Sequence, residues 1–240
     1  MEVYKGVRIY HSLARFSRKK VLEGRVNVDS PFLHAQENRM GNIQEALSMF
    51  QHMTEYKYKF VISHKKVKYE IELNFHDKDF FHIAGLQHLK DIDIPRNPKM
   101  LYEKIENGKI DDTYLSKSTN YTKVRDSYAN IKSRIYGVKF LEEFLDSKNL
   151  ICQYVKYKNR YSNIKADYFI KSVVHQITAY IFLKKRTGEK GYCICSFFIE
   201  PKNTYEGINV YWLYKSKIRL IDNYEEVLYD RLKKDIAILY

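Results

Sequence analysis

The chain has 240 residues and a formal net charge of +13, and 45% of its residues are hydrophobic. This hydrophobic fraction excludes a largely disordered chain, and the nine glycines and four prolines exclude a collagen-like or linker protein. The positive charge favours a polyanionic partner, which could be nucleic acid, an anionic membrane or an acidic protein.

Two further absences bear on location. No apolar run approaches the ~18 residues of a membrane-spanning helix, and the first residues do not form a secretory signal. We therefore expect a cytoplasmic protein that does not insert into a membrane.

Residues 1–41 have no clear pattern and predict a basic N-terminal arm or extension, whereas residues 42–240 predict a single domain. That domain begins with a predicted helix over about 43–55. Alternating apolar residues then predict a β-hairpin over about 56–75, turning at His64-Lys65-Lys66.

Three more helices are predicted before the middle of the chain. The first starts at Asp77, carries DFFHIAGLQHLKDI and stops before Pro95, and the second is MLYEKIENG, ended by Gly108. The third is a long helix that starts after Ser118-Thr119-Asn120 and runs to about Asp146, with apolar residues at steps of three and four.

The second half of the chain changes to β-like segments rich in Val, Ile, Tyr and Phe. They are NLICQYVKYK, KADYFIKSVV, QITAYIFLKKR, YCICSFFIE and INVYWLYKS, followed by a predicted final helix over about 224–236. The whole order predicts an α+β fold: N-terminal helices and a hairpin, then a mainly antiparallel sheet with helices packed on one face.

The familiar signatures of phosphate loops, dinucleotide-binding folds, zinc proteases and serine hydrolases are missing from the sequence. The three cysteines, Cys152, Cys193 and Cys195, have neither zinc-ligand spacing nor the even number of a disulfide framework. The sequence therefore predicts no metal site and no cofactor.

The helix FFHIAGLQHLKD is the most informative segment. On an ideal helix His82 lies over Leu86 and Leu89, on an apolar arc, while His88 points about 120° away. Such a histidine is either a satisfied core residue or a functional group. Gly85 inside a helix costs about 1 kcal/mol relative to alanine, which indicates close approach of another backbone or a ligand, or simply tight packing.

Two other polar residues fall among apolar ones. Arg134 lies at the edge of the apolar stripe of the long helix, where it needs a carboxylate or phosphate partner unless its charged end reaches solvent. Ser196, in the strand CICSFF, could satisfy a backbone group or bind phosphate. Ser118 could bind phosphate at a helix start or cap that helix.

The segment NFHDKDFFHIAGLQHLKDIDI, Arg134 in KSRIYGVKFLE, and the strands TAYIFLKK and CICSFFIEPKNTY resemble the phage branch of the barnase–EndoU–colicin–RelE-like nucleases. The resemblance covers about residues 55–220. The family often has Leu-Leu-Gly-Leu-His-Lys-Leu where this chain has residues 83–89, so the second histidine is matched only approximately. The resemblance implies that this chain is a small metal-independent ribonuclease with helices packed on an antiparallel sheet.

The resemblance also implies a shared site. His82 would act as general acid or base, Arg134 would stabilise phosphate, and Ser196 would hydrogen-bond phosphate. Weaker substrate contacts are expected at four residues: His88, Lys90, Ser118 and Lys171.

The resulting hypothesis is a metal-independent endoribonuclease of toxin or phage-effector type, in which a 2′-hydroxyl attacks the adjacent phosphate. RNA would be its substrate, and an immunity or antitoxin protein could be its partner. Two alternatives stay open at this point: a non-catalytic nucleic-acid-binding module, or a phage inhibitor that binds an acidic host protein.

Overall fold

The computed structural model describes residues 42–123, 130–199 and 205–232, all within one compact unit, Met40–Tyr240. The predicted basic arm, residues 1–41, lies outside the described residues. The helices are α1 (Asn42–Met53), α2 (Phe80–Ile83), α3 (Pro98–Glu106), α4 (Asp112–Leu115), α5 (Ile131–Val138) and α6 (Leu141–Asp146). None of these described helices has the length and apolar character needed to cross a membrane.

The strands are β1 (Tyr56–His64), β2 (Val67–Asn74), β3 (Leu150–Tyr154), β4 (Tyr168–Val174), β5 (Ile177–Lys185), β6 (Tyr192–Ile199), β7 (Gly207–Asn209), β8 (Tyr211–Arg219) and β9 (Glu225–Asp230). They form one nine-stranded sheet in the order β7-β3-β4-β5-β6-β2-β1-β8-β9. Every neighbouring pair is antiparallel except β2 and β6, which are parallel and meet at Leu73 and Tyr192. The predicted α+β class with a mainly antiparallel sheet is confirmed.

The predicted hairpin is confirmed as β1 and β2. Its inward residues Tyr58, Phe60 and Ile71 are buried, as period-two alternation requires. The turn residues Lys65 and Lys66 have φ angles of 49° and 66°, the left-handed region that a tight two-residue turn needs.

Both faces of the β3–β6 meander are covered by apolar side chains. The helices pack on one face, where Phe50 of α1 and Phe144 of α6 join Ile181 and Phe197 in the main core. The opposite face carries an aromatic cluster in which ring centroids of Phe182 and Tyr205 lie 4.9 Å apart. Its members are Tyr154, Phe169, Tyr180, Phe182, Phe198 and Tyr205.

The helix expected from Asp77 is not continuous, and that prediction was wrong. A 3-10 turn over Asp77–Asp79 leads into α2, and a second 3-10 turn covers Leu86–His88. Gly85 separates them with a φ of +80°, a left-handed conformation that ends a right-handed helix. The two halves of the motif therefore run in different directions.

The long helix expected up to Asp146 was also wrong, although its residues 124–129 lie outside the described part of the chain. Residues 118–120 form a turn, and α5 begins only after Asn130, whose side chain accepts a 2.7 Å hydrogen bond from the amide of Ser133. Phe140, with φ −108° and ψ 15°, separates α5 from α6.

The third correction concerns the end of the chain. The segment predicted as a helix over 224–236 forms β9, which pairs antiparallel with β8. Residues 233–240 lie outside the described residues. The sheet ladder satisfies the backbone of β9, so a modest helical preference of its Glu-rich sequence does not decide its structure.

Candidate functional site

Arg134 lies where three parts of the chain meet. It projects from α5 and is 1% exposed, so of the two orientations that the sequence left open the side chain adopts the inward one. Its guanidinium carbon lies 5.9 Å from the ring centroid of Phe198 in β6. A side chain added at Gly85 would come within 2.8 Å of its Cδ and Nη1 atoms. Arg134 therefore connects the segment that carries His82 with the strand that carries Ser196.

The structure supports the second reading of Gly85, tight packing: the group that approaches it is the side chain of Arg134, not another backbone. The second neighbour is Ile131, whose Cδ1 would lie 3.0 Å from an added Cβ. Glycine is required here for two reasons, because the φ of +80° also disfavours any L side chain.

His82 is exposed, not buried on an apolar arc. The helical projection was wrong because it assumed a continuous helix through Gly85. The carbonyl of His82 accepts a 3.1 Å hydrogen bond from the amide of Gly85, and its ring packs edge-on against Phe81 at 5.7 Å. Its imidazole lies on the solvent side of α2, one turn before the contact with Arg134.

Ser196 is half-buried in β6 and lies opposite Phe182 of β5. Phe198 follows two residues later and lies opposite Tyr180, so Ser196 and Phe198 share the face that carries the aromatic cluster. Two residues along a strand span roughly 7 Å, so Ser196 lies about that far from Phe198, whose ring Arg134 contacts.

Lys171 belongs to the same face through cross-strand pairs. It lies opposite Tyr180, which in turn lies opposite Phe198. Lys171, Tyr180 and Phe198 therefore form a row of side chains across β4, β5 and β6 that leads towards Arg134. Lys171, at the far end of this row, is partly exposed.

Of the three remaining predicted contacts, two lie on the segment after Gly85, and Ser118 hydrogen-bonds to Asp91 of that segment. His88 and Lys90 are exposed. Ser118 is 4% exposed and donates its hydroxyl hydrogen to Asp91, whose second carboxylate oxygen accepts a 2.8 Å hydrogen bond from the amide of Thr119. These hydrogen bonds hold the pKa of Asp91 below its ordinary value. Ser118 thus fixes the loop that carries Lys90.

A buried ion pair between Asp79 and Arg186 could not be predicted from the sequence. Arg186 donates from Nη1 to Asp79 Oδ1 at 3.2 Å and from Nη2 to the carbonyl of Asn74 at 2.8 Å, with a further Nη2 contact to Asp79 Oδ2. Both residues are buried, each 8% exposed. The pair attaches the turn before α2 to the β5–β6 hairpin, and so positions His82.

Cysteine chemistry does not fit this site. The cysteines are free, and burial raises the pKa of Cys152 to about 11 and that of Cys195 to about 12. Both thiols therefore stay protonated near neutral pH, where the thiolate is the nucleophile. Within the described residues, no group of three or more His, Cys, Asp or Glu side chains could hold a metal ion.

The comparisons with known proteins agree with the resemblance that the sequence suggested. Residues 42–235 match the family PBECR4, described as phage-Barnase-EndoU-ColicinE5/D-RelE like nuclease4. No curated protein and no solved structure matches the chain. Because the match covers most of the chain, including α2, α5 and β6, this protein belongs to the PBECR4 family of phage barnase–EndoU–colicin E5/D–RelE-like nucleases.

Proposed function

We propose that the chain is a metal-independent endoribonuclease whose reacting groups are His82, Arg134 and Ser196. The observation that supports this grouping is the position of Arg134, packed against Gly85 of the His82 segment and over Phe198, two residues after Ser196. Membership of a nuclease family supplies the reaction class. The net charge of +13 suits a polyanionic substrate.

The proposed reaction is attack of a ribose 2′-hydroxyl on the adjacent phosphorus. A base removes the hydroxyl proton, the 2′-oxygen bonds to phosphorus in line, and the bond to the 5′ oxygen breaks as an acid protonates that leaving oxygen. The products are a 2′,3′-cyclic phosphate and a 5′-hydroxyl. Histidine suits the acid or base role because its neutral and protonated forms are both available near physiological pH.

Arg134 would stabilise the charge that builds on the phosphoryl oxygens, and Ser196 would donate a hydrogen bond to one of them. Arg134 is 1% exposed, so direct contact with phosphate requires neighbouring side chains to move. Its buried charge also acts through space, because charges interact more strongly in a low-dielectric interior.

Four further residues would contact the substrate or support such contacts. Lys171 would reach the substrate along the face shared with Phe198, and His88 and Lys90 would do so from the segment after Gly85. Ser118 could bind phosphate only by giving up its hydrogen bond to Asp91, so it would act mainly by holding that loop.

A ribonuclease of this kind would act as a toxin or phage effector in the cytoplasm, where its RNA substrates are. An immunity or antitoxin protein would then protect the producing cell. A non-catalytic nucleic-acid-binding module or an inhibitor of an acidic host protein would share the basic charge but would not cut RNA.

The test is incubation of the protein with total RNA in EDTA, beside His82→Ala, Arg134→Ala and Lys132→Ala. Lys132 is the matched control, since it is exposed on the same helix as Arg134. We expect the His82 and Arg134 variants to lose about 10²- to 10³-fold in kcat/KM, with little change for Lys132→Ala.

The products and a conservative variant separate chemistry from folding. Cleaved RNA should carry 2′,3′-cyclic phosphate ends, and 2′-O-methyl RNA should stay intact. Arg134→Lys, which keeps the charge, should retain more activity than Arg134→Ala at equal thermal stability. Cleavage of DNA that EDTA abolishes would refute the proposed mechanism.

A further inference from the structure

A cavity of about 150 Å³ lies at the β5–β6 hairpin, and none of the proposed reacting or substrate-binding residues lines it. Its walls come from the turn before α2, the end of β5 and the start of β6. Four of its lining residues are cationic: Lys78, Lys184, Lys185 and Arg186; the others are Thr187, Glu189 and Cys193.

The charges around this cavity do not cancel. Lys78 Nζ lies 3.2 Å from Glu189 Oε1, and Arg186 is paired with Asp79. The amide of Lys185 donates a 2.8 Å hydrogen bond to Asp167, but among the residues that the structure describes neither the Lys184 nor the Lys185 ammonium group forms an ion pair, and both lysines are exposed. Two positive charges therefore remain for an anion from outside the chain.

Arg186 adds a hydrogen-bond donor to the same wall. Its Nε atom is shielded from solvent and has no acceptor in the described part of the chain. A buried donor without an acceptor destabilises the folded state, because the hydrogen bond that it made to water is not replaced. A bound anion that reached Nε would supply the acceptor that this one donor lacks.

We propose that this cavity, defined by Lys184, Lys185 and Arg186, binds a backbone phosphate of RNA on the strand that flanks the reacting nucleotide. The inference rests on the proposed function. Arg186 binds Asp79, which precedes His82 by three residues, so the cavity and the proposed acid or base share one rigid support. A phosphate held there would fix the register of the strand relative to His82.

The choice of phosphate follows from the geometry of the donors. Lys184 and Lys185 are flexible point charges at a strand end, which suit the several oxygens of a phosphodiester without demanding one orientation. The cavity is small and open to solvent on a hairpin, so a phosphate on an extended single strand can enter it, whereas an intact duplex would have to deform.

The experiment measures binding of a fluorescent 2′-O-methyl RNA oligonucleotide by anisotropy over a range of salt concentrations. This probe cannot be cleaved, because it lacks the free 2′-hydroxyl. Lys184→Ala and Lys185→Ala are compared with Lys190→Ala, an exposed lysine of the same hairpin that does not line the cavity. Each variant removes one charge.

We expect each cavity variant to raise Kd about three- to tenfold and to reduce the slope of log Kd against log salt by about 0.7. Lys190→Ala should change neither by more than about twofold, and Lys184→Arg should restore most of the affinity. Equal losses in all three alanine variants, or unchanged affinity in the cavity variants, would overturn the inference. The anion bound in the cavity would then have to be something other than RNA phosphate, such as a carboxylate of a protein partner.

The two proposals fail separately in these assays. Wild-type protein that binds the probe through Lys184 and Lys185 but leaves unmodified RNA intact would refute the ribonuclease and keep the cavity. A Lys184→Ala/Lys185→Ala double variant that cuts RNA as well as the wild-type protein would do the reverse.

Discussion

Replacing Gly85 with alanine tests the geometry that brings the proposed site together. The left-handed φ of +80° costs an alanine about 1–2 kcal/mol. The new Cβ would also lie 2.8 Å from two atoms of Arg134 and 3.0 Å from Ile131, and overpacking of this kind costs about 1–3 kcal/mol. We expect a loss of about 2–5 kcal/mol in the free energy of unfolding.

Gly108 provides the matched control. It has a φ of +67°, but nothing lies within 4 Å of an added Cβ. Gly108→Ala should therefore show only the conformational cost, about 1–2 kcal/mol. Urea unfolding of the two variants, with the slope of each transition checked for two-state behaviour, gives the difference directly.

A double variant locates the cause. If the clash with Arg134 is responsible, Gly85→Ala should cost about 1–2 kcal/mol less in an Arg134→Ala background than in the wild type. Equal losses for Gly85→Ala and Gly108→Ala would show that Arg134 is not held against Gly85, and would remove the main structural support for the proposed site.

Two further predictions concern positions outside the site. Burial lowers the pKa of Lys215 to about 8, although its ammonium donates to the carbonyls of Leu145 and Ser147 at the end of α6. Between about pH 8 and pH 10 the unfolded chain holds a proton that the folded chain has lost, so stability should rise with pH by up to about 3 kcal/mol. Lys215→Met should flatten that rise in urea unfolding, and an unchanged pH slope would refute the assignment. At the β1–β2 turn, replacing Lys65-Lys66 with Asn-Gly should stabilise the fold by about 1 kcal/mol, because both lysines have left-handed backbone angles. The same unfolding assay checks it, and a loss of stability would mean that the lysine side chains contribute contacts that outweigh their backbone cost.

Much of the sheet could be predicted because strand patterns are local. The alternation of Tyr58, Phe60 and Ile62 defined β1, and the Val-, Ile- and Phe-rich segments of the second half defined β3 to β6. The segment that became β9 is different: its Glu225-Glu226 start favours a helix about as much as a strand. Its structure follows from pairing with β8, which is tertiary information.

Part of the packing around the proposed site could be anticipated from the sequence, but its arrangement could not. The glycine in the His82 motif indicated either a close approach or tight packing, and the position of Arg134 at the edge of the apolar stripe left an inward and a solvent-reaching side chain open. The direction of His82 depended on whether the helix continued through Gly85. The left-handed φ of Gly85 accompanies a contact with Arg134, which is far away in sequence, so local sequence patterns could not predict it. The Asp79–Arg186 pair joins two segments that the sequence gives no reason to bring together.

The place of β1 between β2 and β8 has a consequence for how the chain is made. β1 and β2 are among the first described elements to leave the ribosome, whereas β8 and β9 are among the last. At ordinary translation speeds the intervening chain takes on the order of ten seconds to appear. Throughout that time the β8-facing edge of β1 has no native neighbour. The topology has a high contact order, so we expect slow folding and a nascent chain that benefits from chaperones until its last strands emerge.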